Sequence, residues 1–223
     1  MITVDTLLRT NRKTITLRIT PQGELIVKAP LKMPMSSIEQ VITKKGPWIN
    51  ATRQKIATNH ELNKNLFTYK DILFCGKTYR VLITQDIKQI TLTETACLVP
   101  VKFANEKMGL YLKRWYLIQV QKVILPRAVY LSNLMQIDVT GVGFSNAKGR
   151  WGSCDSRGNI KLNWRLLLLP PHLIDYIIVH ELAHILELNH SQNFWKIVHS
   201  LMPDFKSYVR DIKRAWFLLE LFR

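Results

Sequence analysis

The chain has 223 residues, 47% of them hydrophobic, and carries 32 Lys and Arg against 16 Asp and Glu for a formal net charge of +16. That is enough apolar material for one large domain or two small ones, and no repeat or low-complexity tract argues for another class. No apolar run approaches the length of a membrane span and the N-terminus has no basic-then-apolar leader, so the expectation is a cytoplasmic protein without a membrane partner.

Thr14 to Thr20 alternates as a half-buried strand, Pro21-Gln22-Gly23 reads as a turn, and Glu24 to Ala29 returns to close a hairpin. Ser36 and Glu39 have the spacing of a capping box, opening one helix through Ile38, Val41, Ile42 and Trp48 to about Ile56. A polar stretch from Thr58 to Asn65 follows. Asp71–Cys75 and Thr78–Ile83 flank Gly76-Lys77 as a second hairpin, and Ile90 to Val99 adds another strand or two before Pro100. Nothing in these hundred residues has catalytic spacing.

From about Asn105 to Leu125, Leu112, Trp115, Ile118 and Ile124 recur as on a long helix, which Pro126 is expected to kink. Ile137-Asp138-Val139 reads as a short strand, and Gly141 and Gly143 loosen the backbone after it. Asp155 to Gly158 is a turn leading into a strand over Asn159 to Trp164. Beyond His190, Ser191 can cap a helix bearing Phe194, Trp195 and Val198, which Met202-Pro203 ends, and Asp204 can start a last one. Cys75, Cys97 and Cys154 are odd in number and far apart, which argues against a disulfide framework and a Cys-rich zinc knuckle.

The chemistry concentrates in His180-Glu181-Leu182-Ala183-His184, set in an apolar run that follows Pro170-Pro171. Proline suits a first helical turn, so residues 171 to about 188 are predicted as a buried helix. Two histidines four apart project from one face and can hold one divalent ion, with Glu181 beside them able to move a proton. A hydrolytic zinc site typically uses three protein ligands and leaves the fourth position for water. His190 is the candidate third ligand. Six more helical residues at about 100° each would carry it to the wrong face, so the helix must end first, with Asn189 in a left-handed turn. Glu187 is the rival, but it lies about 10 Å of helix rise from His180. Tyr208 is a candidate oxyanion donor.

Arg150-Trp151-Gly152-Ser153-Cys154, Asn163-Trp164, the His180 to His184 motif and Asn189-His190-Ser191 with Phe194-Trp195 together resemble the YgjP-like metallopeptidase domain family. The likeness spans nearly the whole chain. It implies a zincin-like hydrolase with His180, His184 and His190 holding Zn2+ and Glu181 as general base. The histidine spacing is similar to that of WLM and metzincin peptidases, with Glu187 in place of the metzincin turn glycine.

The expected fold class is α+β, with a β-rich module with one helix over residues 1–100 and a zincin-like domain over 101–223, its active-site helix packed on a small sheet. The expected activity is metal-assisted hydrolysis of a peptide or protein substrate. The positive charge keeps two alternatives open, a phosphoanhydride (nucleotide) hydrolase and a nucleic-acid-associated protease or binding module.

Overall fold

The computed structural model describes residues 2–20 and 23–222, and for positions 55, 58–65 and 67 the backbone alone. The fold is α+β. Contacts divide it into two compact units, 1–65 and 66–223.

In the first unit, β1 (Thr6–Thr10), β2 (Thr16–Ile19) and β3 (Leu25–Pro30) form a sheet in the order β1-β3-β2. The antiparallel β2–β3 pair sets Leu17 against Val27, as the alternation predicts. Of the turn between them, Pro21 and Gln22 lie outside the described residues. β1 pairs parallel to β3 and escapes the sequence reading because it is an edge strand with four of five residues exposed, so no alternation marks it. Two helices stand where one was expected, α1 (Met35–Lys44) and α2 (Gly46–Phe67). Pro47 has no N–H to continue the first helix and suits the opening turn of the second. The Ser36 capping box does not form; Pro34 holds the N-cap position, without a side-chain cap bond. Leu25, Val27 and Ala29, on one face of β3, close a small core with Ile38, Ile42 and Ile49.

The second unit begins with β4 (Asp71–Phe74) and β5 (Lys77–Thr84), the predicted hairpin, with Cys75 and Gly76 both at positive φ as a tight turn requires. β6 (Thr91–Leu92) and β7 (Ala96–Pro100) complete a sheet ordered β4-β5-β7-β6, in which β7 runs parallel to β5. Ile72, Cys97 and Val99 enter the same core as the C-terminal helices. The boundary drawn from the sequence at residue 100 therefore falls inside this unit. Helix α3 (Met108–Leu134) runs on through Pro126 instead of ending near it, with Ile124, Ala128 and Leu131 buried on either side of the proline and Arg127 paired to Asp175 at 2.7 Å.

The site rests on the last sheet, ordered β8-β10-β9. β8 (Gly141–Ser145) replaces the strand expected at 137–139 and pairs parallel to β10 (Asn159–Asn163). Its glycines suit close approach, since a Cβ on Gly141 would lie 3.0 Å from Asn159 Oδ1. β9 (Gly152–Cys154) is an edge strand, antiparallel to β10. Helix α4 (Pro171–Leu186) packs against β9, β10 and α3, as a helix apolar on nearly every face must. α5 (Gln192–Leu201) and α6 (Phe205–Arg214) follow and pack on α4. Among the described residues no helix is long and apolar enough to cross a membrane.

Candidate metal centre

Pro170 precedes α4 and Pro171 occupies its first turn, as expected. The helix stops at Leu186, and Glu187 is extended, with φ −143° and ψ 105°. Asn189 is not among the residues at positive φ, so the predicted left-handed turn is not what redirects the chain. The extended Glu187 does so. Its carbonyl accepts a hydrogen bond from His184 Nδ1 at 3.1 Å. A carbonyl only accepts, so Nδ1 of His184 carries the proton and Nε2 keeps its lone pair.

The turn brings His190 back over the helix. His190 Nε2 lies 3.1 Å from His180 Nε2, and the three rings form a nearly equilateral triangle with centroids 5.0, 4.9 and 4.8 Å apart. One nitrogen from each lies within 4.8 Å of the others. Two imidazole nitrogens bound tetrahedrally to one zinc ion would stand about 3.3 Å apart, so the spacing fits a shared cation. Among the described residues Nδ1 of His180 is buried without a hydrogen-bond partner, which leaves Nε2 to converge with its neighbours.

Burial, then the neighbouring His184 and His190, pushes His180 down to about 3, and burial followed by His184 lowers His190 as well. Both imidazoles are therefore neutral at ordinary pH, the form that donates a lone pair to a metal.

Phe194 of α5 backs the triangle, its ring 4.5 to 5.0 Å from each imidazole. Trp195 stacks on His190 at 5.6 Å and on Phe205 at 5.0 Å. Ser191 caps α5 by accepting from the N–H groups of Asn193 and Phe194, fixing the chain one residue after His190.

Glu181 is 6% exposed, and burial raises its carboxyl to about 7, an effect the Arg150 charge partly opposes. β9 crosses so close that a Cβ on Gly152 would lie 2.6 Å from Cγ and Oε1 of Glu181. Gly152 is thus a site residue that helix spacing could not reveal. Asn163 is another. Its buried amide donates to the carbonyls of Ala147 and Arg150, tying down the loop that delivers Gly152.

A cavity of about 270 Å³ opens beside His180 and Glu181, with Tyr176, Ile177, Trp151 and Trp216 among its walls. Tyr208 is not among its lining residues. The Tyr208 ring packs 5.5 Å from His172 and 6.0 Å from Tyr176, whose ring in turn lies 5.9 Å from His180. Glu187, the rival ligand, meets the cluster through its main-chain carbonyl.

This arrangement can hold a divalent cation beside a buried carboxyl group. The family described as YgjP-like, metallopeptidase domain, matches residues 13–215. The chain belongs to the YgjP-like metallopeptidase family. Membership makes it a hydrolase of the metal-dependent peptidase class, and the match covers the triangle, Glu181, Gly152 and the first unit from residue 13 onward. The crystal structure of the metallopeptidase zymogen of Pyrococcus abyssi abylysin is similar over 41% of this YgjP-like chain and 94% of its own, with 22% identity and a TM-score of 0.38. No curated protein matches.

Proposed function

We propose that this YgjP-like protein is a zinc-dependent peptidase in which His180, His184 and His190 hold the ion and Glu181 is the general base. The observation that carries this reading is the convergence of three imidazoles, two of them held neutral, beside a buried carboxyl group. A bound zinc ion would supply Lewis acidity, making water acidic and polarising a carbonyl.

The protein's own part is proton traffic and positioning. Glu181, poised near neutrality, takes a proton from the attacking water as the new C–O bond forms at the amide carbonyl. It then gives that proton to the amide nitrogen as the C–N bond breaks. Gly152 leaves the carboxyl group room, and the buried walls around it exclude bulk water. Among the described residues the outer edge of β9 has no strand partner, so an extended substrate can pair there, beside the strand whose Gly152 lies against Glu181. Tyr208, whose ring packs against Tyr176, is proposed as a further donor to the carbonyl oxygen. Three unpaired cysteines suit a reducing cytoplasm.

Metal analysis beside a panel of peptides and nucleoside triphosphates tests this. The natural chain should hold about one zinc ion, and His190→Ala should lose it. Glu181→Gln should keep the ion and lose about 10²- to 10⁴-fold in kcat on peptides. Turnover of nucleotides alone, or peptide cleavage indifferent to Glu181→Gln, would overturn the assignment.

A further inference from the structure

A second concavity, of about 520 Å³, lies between α3 and the β6 edge of the four-stranded sheet, within the size range of ligand sites. None of His180, Glu181, His184 or His190 lines it. Its helical wall is a single stripe, Tyr111, Arg114, Trp115, Ile118 and Lys122, recurring every three or four residues along about 16 Å of helix. The facing wall is the consecutive stretch Gln89 to Leu92, whose exposure alternates, Ile90 and Leu92 turned partly inward and Gln89 and Thr91 outward.

Three features of this groove point to one kind of occupant. β6, two residues long, comes last in the sheet order and among the described residues pairs only with β7, so its outer backbone groups are open at one wall. The opposite wall is apolar at its centre, where Ile118 is 55% exposed. Helix α3 contains no acidic residue, and among the described residues neither Arg114 nor Lys122 has an acidic partner. An edge strand facing a helix across an apolar trough is the geometry that takes up a peptide as an added strand.

The spacing sets the pattern. Arg114 and Lys122, four residues to either side of Ile118, stand about 12 Å apart along the helix axis. Positions i and i+4 of an extended peptide are about 13 Å apart, and i+2 shares their face. We infer that this groove binds an extended peptide segment with acidic residues at i and i+4 and an apolar residue at i+2, separate from the metal centre. Its backbone pairs with β6, its apolar side chain covers Ile118 and Trp115, and its carboxylates meet Arg114 and Lys122.

The test is fluorescence anisotropy of a labelled, amidated Glu-Thr-Leu-Thr-Glu peptide with the full-length protein, its fold checked by circular dichroism. Saturable binding of equal affinity is expected for the natural chain and for Glu181→Gln, with the peptide verified intact by mass. Ile118→Asp, an exposed change that the helix tolerates, and Arg114→Glu with Lys122→Glu should each weaken it about tenfold or more, because they set like charges against the ligand. A Lys-Thr-Leu-Thr-Lys peptide and an analogue N-methylated at alternate residues should bind at least about tenfold more weakly, the second for want of ladder donors. Absence of saturable binding overturns the proposal. So do equal binding of the lysine peptide, equal binding of the N-methylated analogue in both registers, affinity lost with Glu181→Gln but kept in the groove variants, or groove variants that alter only self-association.

Discussion

Glu181 and Gly152 form a pair in which one residue's chemistry depends on the other's lack of a side chain. A Cβ at Gly152 would fall 2.6 Å from Glu181 Cγ, so Gly152→Ala must displace the buried carboxyl group. That variant should retain its metal and lose about 10²-fold in kcat, as a misplacement of about 1 Å does, measured on the same peptide as Glu181→Gln. The carboxyl group also sets a pH signature on the metal-free chain. Its folded value of about 7 lies above the ordinary glutamate range, so the folded state binds the extra proton. The associated stabilisation is full below that range and is lost as pH rises through about 7. Relative to Glu181→Gln, the natural chain should lose about 3 kcal/mol across that window in denaturant titrations. His180 and His190, lowered by burial, act in the opposite sense in both proteins and cancel from the difference. At this scale the facing of His180 and His184 was open to a reader of the chain, because two histidines four apart on a helix share a face by geometry alone. Gly152 was not, because its neighbour Glu181 comes from another element.

The junction of α4 and α5 is the element that sets the third imidazole. Ser191 accepts from two N–H groups of α5 immediately after His190, so Ser191→Ala should cost about 1 kcal/mol in thermal or chemical unfolding. It should also weaken zinc binding in a chelator competition, since the loop carrying His190 loses its anchor. Glu187→Ala is the contrasting change. His184 is oriented by the main-chain carbonyl of residue 187, which the substitution keeps, so zinc affinity should stay within about twofold. If Glu187→Ala strips the ion instead, the carboxylate is a ligand and the assignment of His190 must be reopened. Of the elements, α3, α4, α5 and the β4–β5 hairpin were legible from periodicity, caps and turn residues. The break between α1 and α2 was signalled by Gly46-Pro47 and was overridden by the apolar spacing of Ile42 and Trp48. β1 and β8 were hidden, one because it is exposed and one because glycines flank its two apolar residues, Val142 and Phe144, and read as loop.

For the molecule as a whole, the two compact units have separate cores, and every residue assigned to the metal centre belongs to the second. A fragment spanning residues 66–223 should therefore fold and keep the zinc affinity of the full chain, measured by circular dichroism and chelator competition. A fragment that is folded but does not bind zinc would give the first unit a part in the site. The net charge of +16 acts at this scale too, raising the local concentration of acidic ligands at low salt. The α+β class, the histidine pair with a glutamate beside it, and a third histidine beyond the helix end were all readable from the chain, because they depend on residue type and on periods of a few residues. The placement of β4 to β7 in the second core, the parallel pairing of β8 with β10, the extended Glu187 that swings His190 inward and the glycine backbone against Glu181 were not. Each rests on contacts between separate segments or on a backbone conformation that local residue preferences leave open, and only packing makes one arrangement the lowest in free energy.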